Sequence, residues 1–178
     1  MDKFEIAVFA NGCFWCTEAI FSKIKGVKKV VSGYTGGKSS NPSYEEVSSG
    51  TTGHAEAILI EFDERIISYE KLVEIFFKTH NPTTLNRQGN DVGTQYRSAI
   101  FYNSIEQKKI AEKVRNKLES ENYFTDPIVT EITELKKFYP AEDYHQSFYE
   151  KNGDYPYCKI IIDPKIKKFL NEYSYLTK

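Results

Sequence analysis

Two of the three cysteines in this 178-residue chain lie in the segment NGCFWC, residues 11–16, together with its single tryptophan. A Cys-x-x-Cys spacing brings two sulfurs within reach of each other or of one metal ion. Cys13 follows a short apolar strand and Gly12 at the start of a helical pattern, where unpaired N–H groups and the helix dipole favour a thiolate. The alternative is a buried thiol that packs behind Phe14 and Trp15. The second cysteine and the glycine favour a reactive site.

One carboxyl group lies on the apolar face of a predicted strand. In HAEAILIEFD, residues 54–63, side chains alternate between two faces, so Glu56 shares its face with three apolar residues. These are Ile58, Ile60 and Phe62. Burial there raises the pKa of a carboxyl group, and Glu56 would stay protonated near neutral pH and act as a general acid. The alternative is a solvated acid at the frayed start of the strand. The alternation of side chains does not by itself decide between the two.

A polar loop precedes a later predicted strand. The segment RQGNDVGTQYRSAIFY, residues 87–102, contains two glycines and presents Asp91, Gln95, Tyr96 and Arg97 at the mouth of the strand. Such a loop either lines a functional site or forms only a turn, and the turn is the commoner outcome.

The composition is that of one globular domain, which we assign to residues 1–178. Apolar residues make up 40% of the chain, enough for a sizeable core. The 24 Lys and Arg nearly balance the 25 Asp and Glu, which argues against nucleic acid or an anionic membrane as a partner. No stretch approaches the ~18 apolar residues of a membrane span, and the N-terminus lacks a signal-peptide pattern. We therefore expect a cytoplasmic protein with free thiols.

Sequence periodicity predicts strands interspersed with helices. Strands are expected at 4–10, 28–37, 54–63, 97–103, 128–135 and 157–162, and helices at 13–27, 68–82 (with Ser68 as its cap), 104–120, 141–152 and 164–173. This mixture is typical of an α+β fold, a two-layer α/β sandwich in which helices pack on a mixed sheet. We expect a ferredoxin-like core, although the strand order is not readable from the pattern.

Five motifs, in order along the chain, resemble those of the A-type peptide methionine sulfoxide reductases. They are GCFWC at 12–16, GYTGG at 33–37, TTGHAEA at 51–57, HNPTTLNRQGNDVGTQYRSAIFY at 80–102 and EDYHQSFY at 142–149. The resemblance extends from about residue 5 to about residue 170. It implies an enzyme that reduces the S-epimer of methionine sulfoxide, free or within proteins, and so repairs an oxidative lesion.

The resemblance also implies roles for individual residues. Cys13 is the nucleophile that attacks the sulfoxide sulfur, and Glu56 supplies the proton that the sulfoxide oxygen requires. Tyr34 and Tyr96 resemble two phenolic donors to that oxygen. The substrate-binding positions are Phe14 and Trp15, which form an aromatic wall for the methyl group, Asp91, which helps to hold the substrate backbone, and His145.

The resemblance leaves two cysteines open for the second thiol of the reaction. Attack leaves Cys13 as a sulfenic acid, which condenses with another thiol to a disulfide. Many relatives have Gly at the position of Cys16 and use cysteines near the C-terminus. This favours Cys158, with Cys16 relaying the disulfide or lining the pocket, although Cys158 also reads as a buried strand residue. A Cys13–Cys16 disulfide would close a tight ring. We expect thioredoxin as the reductant, no cofactor, and a monomer.

Two other functions explain part of the same pattern. A thioredoxin-like oxidoreductase also carries Cys-x-x-Cys at a helix start, although only one short strand precedes it here. Such a protein has no use for a buried acid and converging tyrosines. A zinc-binding module could recruit the cysteines together with His54, His80 and His145, but only one close ligand pair is present.

Overall fold

The computed structural model describes residues 4–178, and within them eight strands and six α-helices follow one another. The strands are β1 (Phe4–Asn11), β2 (Val27–Thr35), β3 (Ala55–Asp63), β4 (Arg87–Gln88), β5 (Asp91–Val92), β6 (Ser98–Tyr102), β7 (Glu131–Glu134) and β8 (Phe138–Pro140). The helices are α1 (Phe14–Phe21), α2 (Tyr44–Ser48), α3 (Tyr69–Lys78), α4 (Ile105–Ser120), α5 (Phe148–Lys151) and α6 (Asp163–Tyr173). Short 3₁₀ turns lie at Thr94–Tyr96, Asp143–His145 and Ser174–Leu176, and a π-helix at Cys158–Ile162. None of the helices in the described range is long and apolar enough to cross a membrane.

Six of the strands form one mixed sheet in the order β7-β6-β1-β3-β2-β8. Neighbouring strands run antiparallel except β6 and β7, which run parallel. The succession β1-α1-β2-β3-α3-β6 is a βαββαβ unit whose strands lie in the order β6-β1-β3-β2, the ferredoxin-like arrangement. The expected α+β fold with a ferredoxin-like core is confirmed.

One face of this sheet carries the large core, and Glu56 lies on that face. The main core cluster joins Ile58, Ile60 and Phe62 of β3 to apolar residues of α1, α3, α4 and α6. The opposite face carries a smaller cluster that includes Ala57. Because successive strand residues point to opposite faces, Glu56 shares the side of the large core, and it is 2% exposed. The strand parity predicted from the sequence is confirmed, and the solvated alternative is wrong.

Two helix boundaries test the periodicity arguments. Ser68 caps α3 as predicted, since its Oγ accepts a backbone N–H at 3.0 Å. α1 ends at Phe21, earlier than its apolar stripe predicts, because the chain turns through Gly26, whose φ of +93° favours glycine. Ile24 and Val27 keep the apolar spacing but reach the core from a turn and from β2.

The C-terminal region differs most from the sequence-based expectation. The predicted helix at 141–152 is divided into a 3₁₀ turn and α5, because Ser147 between them is left-handed with φ +54°. The predicted strand at 157–162 is wrong: these residues form the π-helix that runs directly into α6. A short apolar run does not distinguish a strand from a helix, which explains the error.

Candidate active site

Cys13 caps α1 at a tight turn that follows β1. Gly12 has φ +105°, and a Cβ there would lie 2.8 Å from the side chain of Gln88, so the turn requires glycine. The Cys13 carbonyl accepts the backbone N–H of Cys16 at 3.1 Å, and α1 begins at Phe14. The Cys13 side chain is partly exposed. The turn therefore holds this sulfur at the open end of the helix.

The Glu56 carboxyl group lies against the same turn. Its Oε1 accepts the backbone N–H of Phe14 at 3.2 Å. Burial raises the pKa of Glu56 to about 8, against the opposing effect of that N–H. Glu56 is therefore a protonated acid at neutral pH, bonded to the residue that follows Cys13.

The thiols of Cys13 and Cys16 influence each other's ionisation. Burial raises the pKa of Cys13 well above its ordinary value, and the neighbouring Cys16 thiol and the charge of Glu56 act in the same direction. The S–H of Cys13 lowers the pKa of Cys16 to about 7, with help from Lys165 and the Tyr157 hydroxyl and against the effect of burial. The two shifts have opposite signs, so the ionisation of each thiol depends on the other.

A cavity of about 200 Å³ lies beside Cys13 and Glu56. Its walls are formed by Cys13, Phe14, Trp15, Tyr44, Glu56, Asp91, Tyr96 and Tyr157. Six of these residues are among the site residues proposed from the sequence, while Tyr44 and Tyr157 are not. Burial raises the pKa of Tyr44 and Tyr96, and the nearby Glu56 charge adds to the effect. Both hydroxyls therefore remain protonated hydrogen-bond donors.

Tyr34 does not line this cavity, contrary to expectation. It lies opposite Glu56 across β2 and β3 and is fully buried, but its hydroxyl donates to Oε1 of Glu142 at 2.9 Å. The second oxygen of Glu142 accepts the backbone N–H of Tyr44 at 3.0 Å. Tyr34 thus supports the start of α2, and Tyr44 takes the place beside Tyr96 that the sequence reading gave to Tyr34.

His145 lies behind the cavity wall rather than in it. It is fully buried, and its Nδ1 accepts the indole N–H of Trp15 at 3.0 Å. The Trp15 ring is also stacked on Phe148, with centroids 3.6 Å apart and planes 5° apart. Burial lowers the pKa of His145, so its ring is neutral. The geometry makes His145 a support for Trp15, which corrects its expected role as a substrate contact.

Tyr157 lines the cavity and contacts the Cys16 thiol, and it is not among the site residues predicted from the sequence. Its hydroxyl donates to Oδ2 of Asp91 at 3.0 Å and lies 3.8 Å from Sγ of Cys16. Its ring meets Trp15 edge-on, with centroids 5.8 Å apart. The available signal was its position in a tyrosine-rich segment directly before Cys158.

Cys158 is fully buried in the π-helix. Burial raises its pKa, and the charges of Asp163 and Cys16 act in the same direction. All three cysteines are free thiols, and Cys16 is the one that interacts with both of the others. The Cys16 thiol therefore lies close enough to each of the other two to affect its pKa.

The histidines named for the zinc alternative each have structural partners. His54 accepts the backbone N–H of Gly37 at 3.0 Å, and Nε2 of His80 lies 2.8 Å from Oγ of Ser98. Within residues 4–178, no three His, Cys, Asp or Glu side chains are grouped so that they could hold a metal ion.

The sequence matches the family model for peptide methionine sulfoxide reductase over residues 5–177. The chain belongs to this family. A peptide methionine sulfoxide reductase MsrA from Sulfolobus acidocaldarius is 55% identical to this reductase over 169 residues, 95% of each chain. Reduced Mxr1 from Saccharomyces cerevisiae is similar with a TM-score of 0.82 and 34% identity, over 88% of this chain and 90% of that one. Mxr1 in complex with Trx2 matches with a TM-score of 0.59 and 24% identity, over 82% and 85% of the two chains.

Family membership accounts for the features that the two alternatives left unexplained. The reductase is an oxidoreductase that acts on methionine sulfoxide, and its Cys-x-x-Cys segment lies on a ferredoxin-like core.

Proposed function

We propose that this reductase converts the S-epimer of methionine sulfoxide, free or within proteins, to methionine by attack of the Cys13 sulfur. The observation that carries the proposal is the protonated Glu56 carboxyl group, bonded at 3.2 Å to the N–H of Phe14 in the same cavity as Cys13. Reduction of a sulfoxide requires such an acid, because the oxygen gains negative charge as its bond to sulfur breaks.

The first step transfers the sulfoxide oxygen and one proton to Cys13. The Cys13 thiolate attacks the sulfoxide sulfur, and Glu56 protonates the sulfoxide oxygen. The S–O bond of the substrate breaks, and methionine leaves as the hydroxyl passes to Cys13 as a sulfenic acid. The substrate sulfur gains two electrons and Cys13 loses two. The negative charge of the thiolate ends on the Glu56 carboxylate, which balances the step.

The cavity walls position the substrate for this step. Tyr44 and Tyr96 donate hydrogen bonds to the oxygen and stabilise its developing charge. Phe14 and Trp15 pack against the methyl group, on the side of the sulfur away from the oxygen. Asp91, whose Oδ2 accepts the Tyr157 hydroxyl, holds the substrate backbone. Fixed sites for oxygen and methyl select one epimer of the sulfoxide, since exchanging the two places the oxygen against an apolar wall.

Cys16 resolves the sulfenic acid first, and Cys158 acts second. The sulfur of Cys16 displaces the hydroxyl of oxidised Cys13 as water and forms the Cys13–Cys16 disulfide. Cys158 then attacks Cys16, releases the Cys13 thiolate and forms a Cys16–Cys158 disulfide. This order reverses the preference drawn from the resemblance. It is supported by the effect of Cys16 on the pKa of both Cys13 and Cys158 and by the full burial of Cys158.

Thioredoxin reduces the final disulfide, and no cofactor takes part because thiols supply both electrons. Mxr1, a relative of this chain, occurs in a complex with Trx2, which supports a thioredoxin as the partner. Free thiols suit a reducing compartment, so we place the enzyme in the cytoplasm. We further propose that residues 1–178 act as one domain and as a monomer.

Turnover of separate sulfoxide epimers, with dithiothreitol and then thioredoxin as reductant, tests this scheme. The wild type should reduce the S-epimer only. Cys13→Ser should abolish turnover with either reductant, and residual turnover by that variant would exclude Cys13 as the nucleophile.

The two resolving cysteines serve as controls for each other. Cys158→Ser should lose thioredoxin-driven turnover but still form a disulfide after one turnover, detected by mass spectrometry. Cys16→Ser should instead accumulate the sulfenic acid. If Cys158→Ser accumulates it and Cys16→Ser does not, the proposed order is wrong.

A further inference from the structure

Three cavities in this structure adjoin one another through shared wall residues. The cavity at Cys13 shares Asp91 and Tyr157 with a second cavity of about 240 Å³. The second cavity shares Gln88 and Lys165 with a third of about 450 Å³, which lies between α3 and α6. We call the second and third cavities together the trough.

The near end of the trough is apolar and open to solvent. Ile160 and Ile161 of the π-helix line it beside Tyr157. Ile160 is 69% exposed, although it is a large apolar residue next to the active site. Covering such a side chain with a bound ligand is favourable, because it removes apolar surface from water.

The far end of the trough is basic. Its walls include Lys78, Lys165 and Lys168, together with the acids Asp126 and Glu172. Lys78 lies 3.8 Å from Glu172 and is compensated by it. Lys165 and Lys168 have no carboxylate within 4.0 Å in the part of the chain that the structure describes. The far end therefore presents unpaired ammonium groups to whatever enters.

We propose that the trough binds the polypeptide on one side of an oxidised methionine and that its far end selects substrates with an acidic side chain at that distance. This inference rests on the proposed function, which places the sulfoxide itself in the Cys13 cavity. The trough adjoins that cavity at Asp91 and Tyr157, so we expect a chain whose sulfoxide occupies the cavity to extend along Ile160 towards Lys168. An extended chain advances about 3.3–3.6 Å per residue. The acidic position therefore lies a few residues from the sulfoxide, on one side only.

The expected preference is modest, because the far end is open to water. Exposed ion pairs are weak, which corresponds to roughly a two- to fivefold gain in kcat/KM for a favourable acid. The gain should shrink as salt is raised, since salt screens exposed charges. A substrate without flanking residues should not sense the trough.

Peptides that contain one methionine sulfoxide, with a single Asp moved through each flanking position, test the inference against a matched Asn series. Wild-type enzyme should prefer Asp over Asn at a few positions on one side, by about two- to fivefold. Lys168→Ala should reduce that ratio towards one. Lys167→Ala is the matched control, because Lys167 is exposed on the same helix outside the trough walls. A Lys165→Ala variant also removes a charge that acts on the nearby Cys16 thiol. Because the Asp-to-Asn ratio compares two peptides on the same enzyme, it reports charge selection separately from that effect.

A blocked single residue, N-acetyl-methionine-S-sulfoxide amide, distinguishes failure of the proposed function from failure of the trough proposal. If the wild type does not reduce it, the proposed function itself fails. If it is reduced equally by wild type, Lys167→Ala and Lys168→Ala while Asp and Asn peptides are indistinguishable, only the trough is excluded. An equal response of Lys167→Ala and Lys168→Ala in the Asp series would likewise overturn it.

Discussion

The two sides of the active site are built in opposite ways. Cys13 lies at the turn between β1 and α1, and Glu56 lies on β3, so regular elements determine the position of both side chains. The closing segment, residues 138–162, contains a short strand, a 3₁₀ turn, a four-residue helix and a π-helix. Its His145 and Tyr157 bond to residues 130 and 66 positions away. The core holds the chemistry, and an irregular segment shapes the cavity around it.

The closing segment is attached by polar contacts in addition to apolar side chains such as Phe148 and Ile162. The Gln146 amide accepts the N–H of Ser32 and donates to the carbonyl of the same residue, each at 2.9 Å. A side chain thereby continues the ladder of β8 along β2. Glu18 of α1 accepts the hydroxyl of Ser32 at 3.1 Å, and the backbone N–H groups of Ser147 and Phe148 act to lower the Glu18 pKa. Contacts of this kind leave no periodic signal in a sequence.

Removing the acid of the core should have the largest effect. Glu56→Gln should slow methionine formation by about 10²–10⁴-fold, because glutamine cannot donate the proton. Since the wild-type acid has a pKa of about 8, its rate of methionine formation should fall as pH rises through that value. Rapid-quench measurements over pH 6–10 check both points. A variant that kept the same alkaline decline would rule out Glu56 as its origin.

Substitutions of Tyr44 and Tyr34 compare a residue of the cavity wall with a residue that supports the wall. Tyr44→Phe should lower kcat by about 100-fold, because it removes a donor to the substrate oxygen. Tyr34→Phe should leave kcat within a few-fold but lower the free energy of unfolding by about 1–3 kcal/mol, because Glu142 loses a buried partner. Steady-state kinetics and urea unfolding of the pair measure this contrast. The opposite pattern would return Tyr34 to the catalytic position.

Glu18 tests how the closing segment is attached to the core. Burial raises its pKa from the ordinary 4.5 to about 7, so the folded state binds the proton more tightly than the unfolded state. The contribution of Glu18 to stability should therefore be greatest below about pH 4.5 and decline as pH rises to about 7. Relative to Glu18→Gln, the wild type should lose on the order of 3 kcal/mol across that range. Urea unfolding of both proteins at several pH values measures the difference, and a pH-independent difference would contradict the assignment.

His145 tests the support of the methyl wall and should give the smallest effect. His145→Leu leaves the buried indole N–H of Trp15 without an acceptor, so KM should rise roughly tenfold with less change in kcat. His145→Gln keeps an acceptor and should restore most of the loss. Comparing kcat and KM for the two variants separates the hydrogen bond from simple packing, since equal defects would indicate packing alone.

The sequence predicted the core side well and the closing segment poorly, for a physical reason. Alternation in β3 correctly put Glu56 on the buried face, and glycine before a helix correctly marked the turn at Cys13. The apolar run at Cys158 suggested a strand, yet it is helical, because burial alone does not specify secondary structure. The choice of Tyr34 over Tyr44 failed because the direction of a hydroxyl depends on a distant partner, Glu142.

Trp15 is the chain's single tryptophan, and it is stacked on Phe148 and bonded to His145. Indole fluorescence from this protein therefore originates in the catalytic cavity and nowhere else. The proposed attack of the buried Cys158 on Cys16 requires the closing segment to shift, and a shift that separates Phe148 from the indole should alter the emission. The molecule thus carries an intrinsic optical reporter, with which each stage of turnover can be timed without attaching a dye.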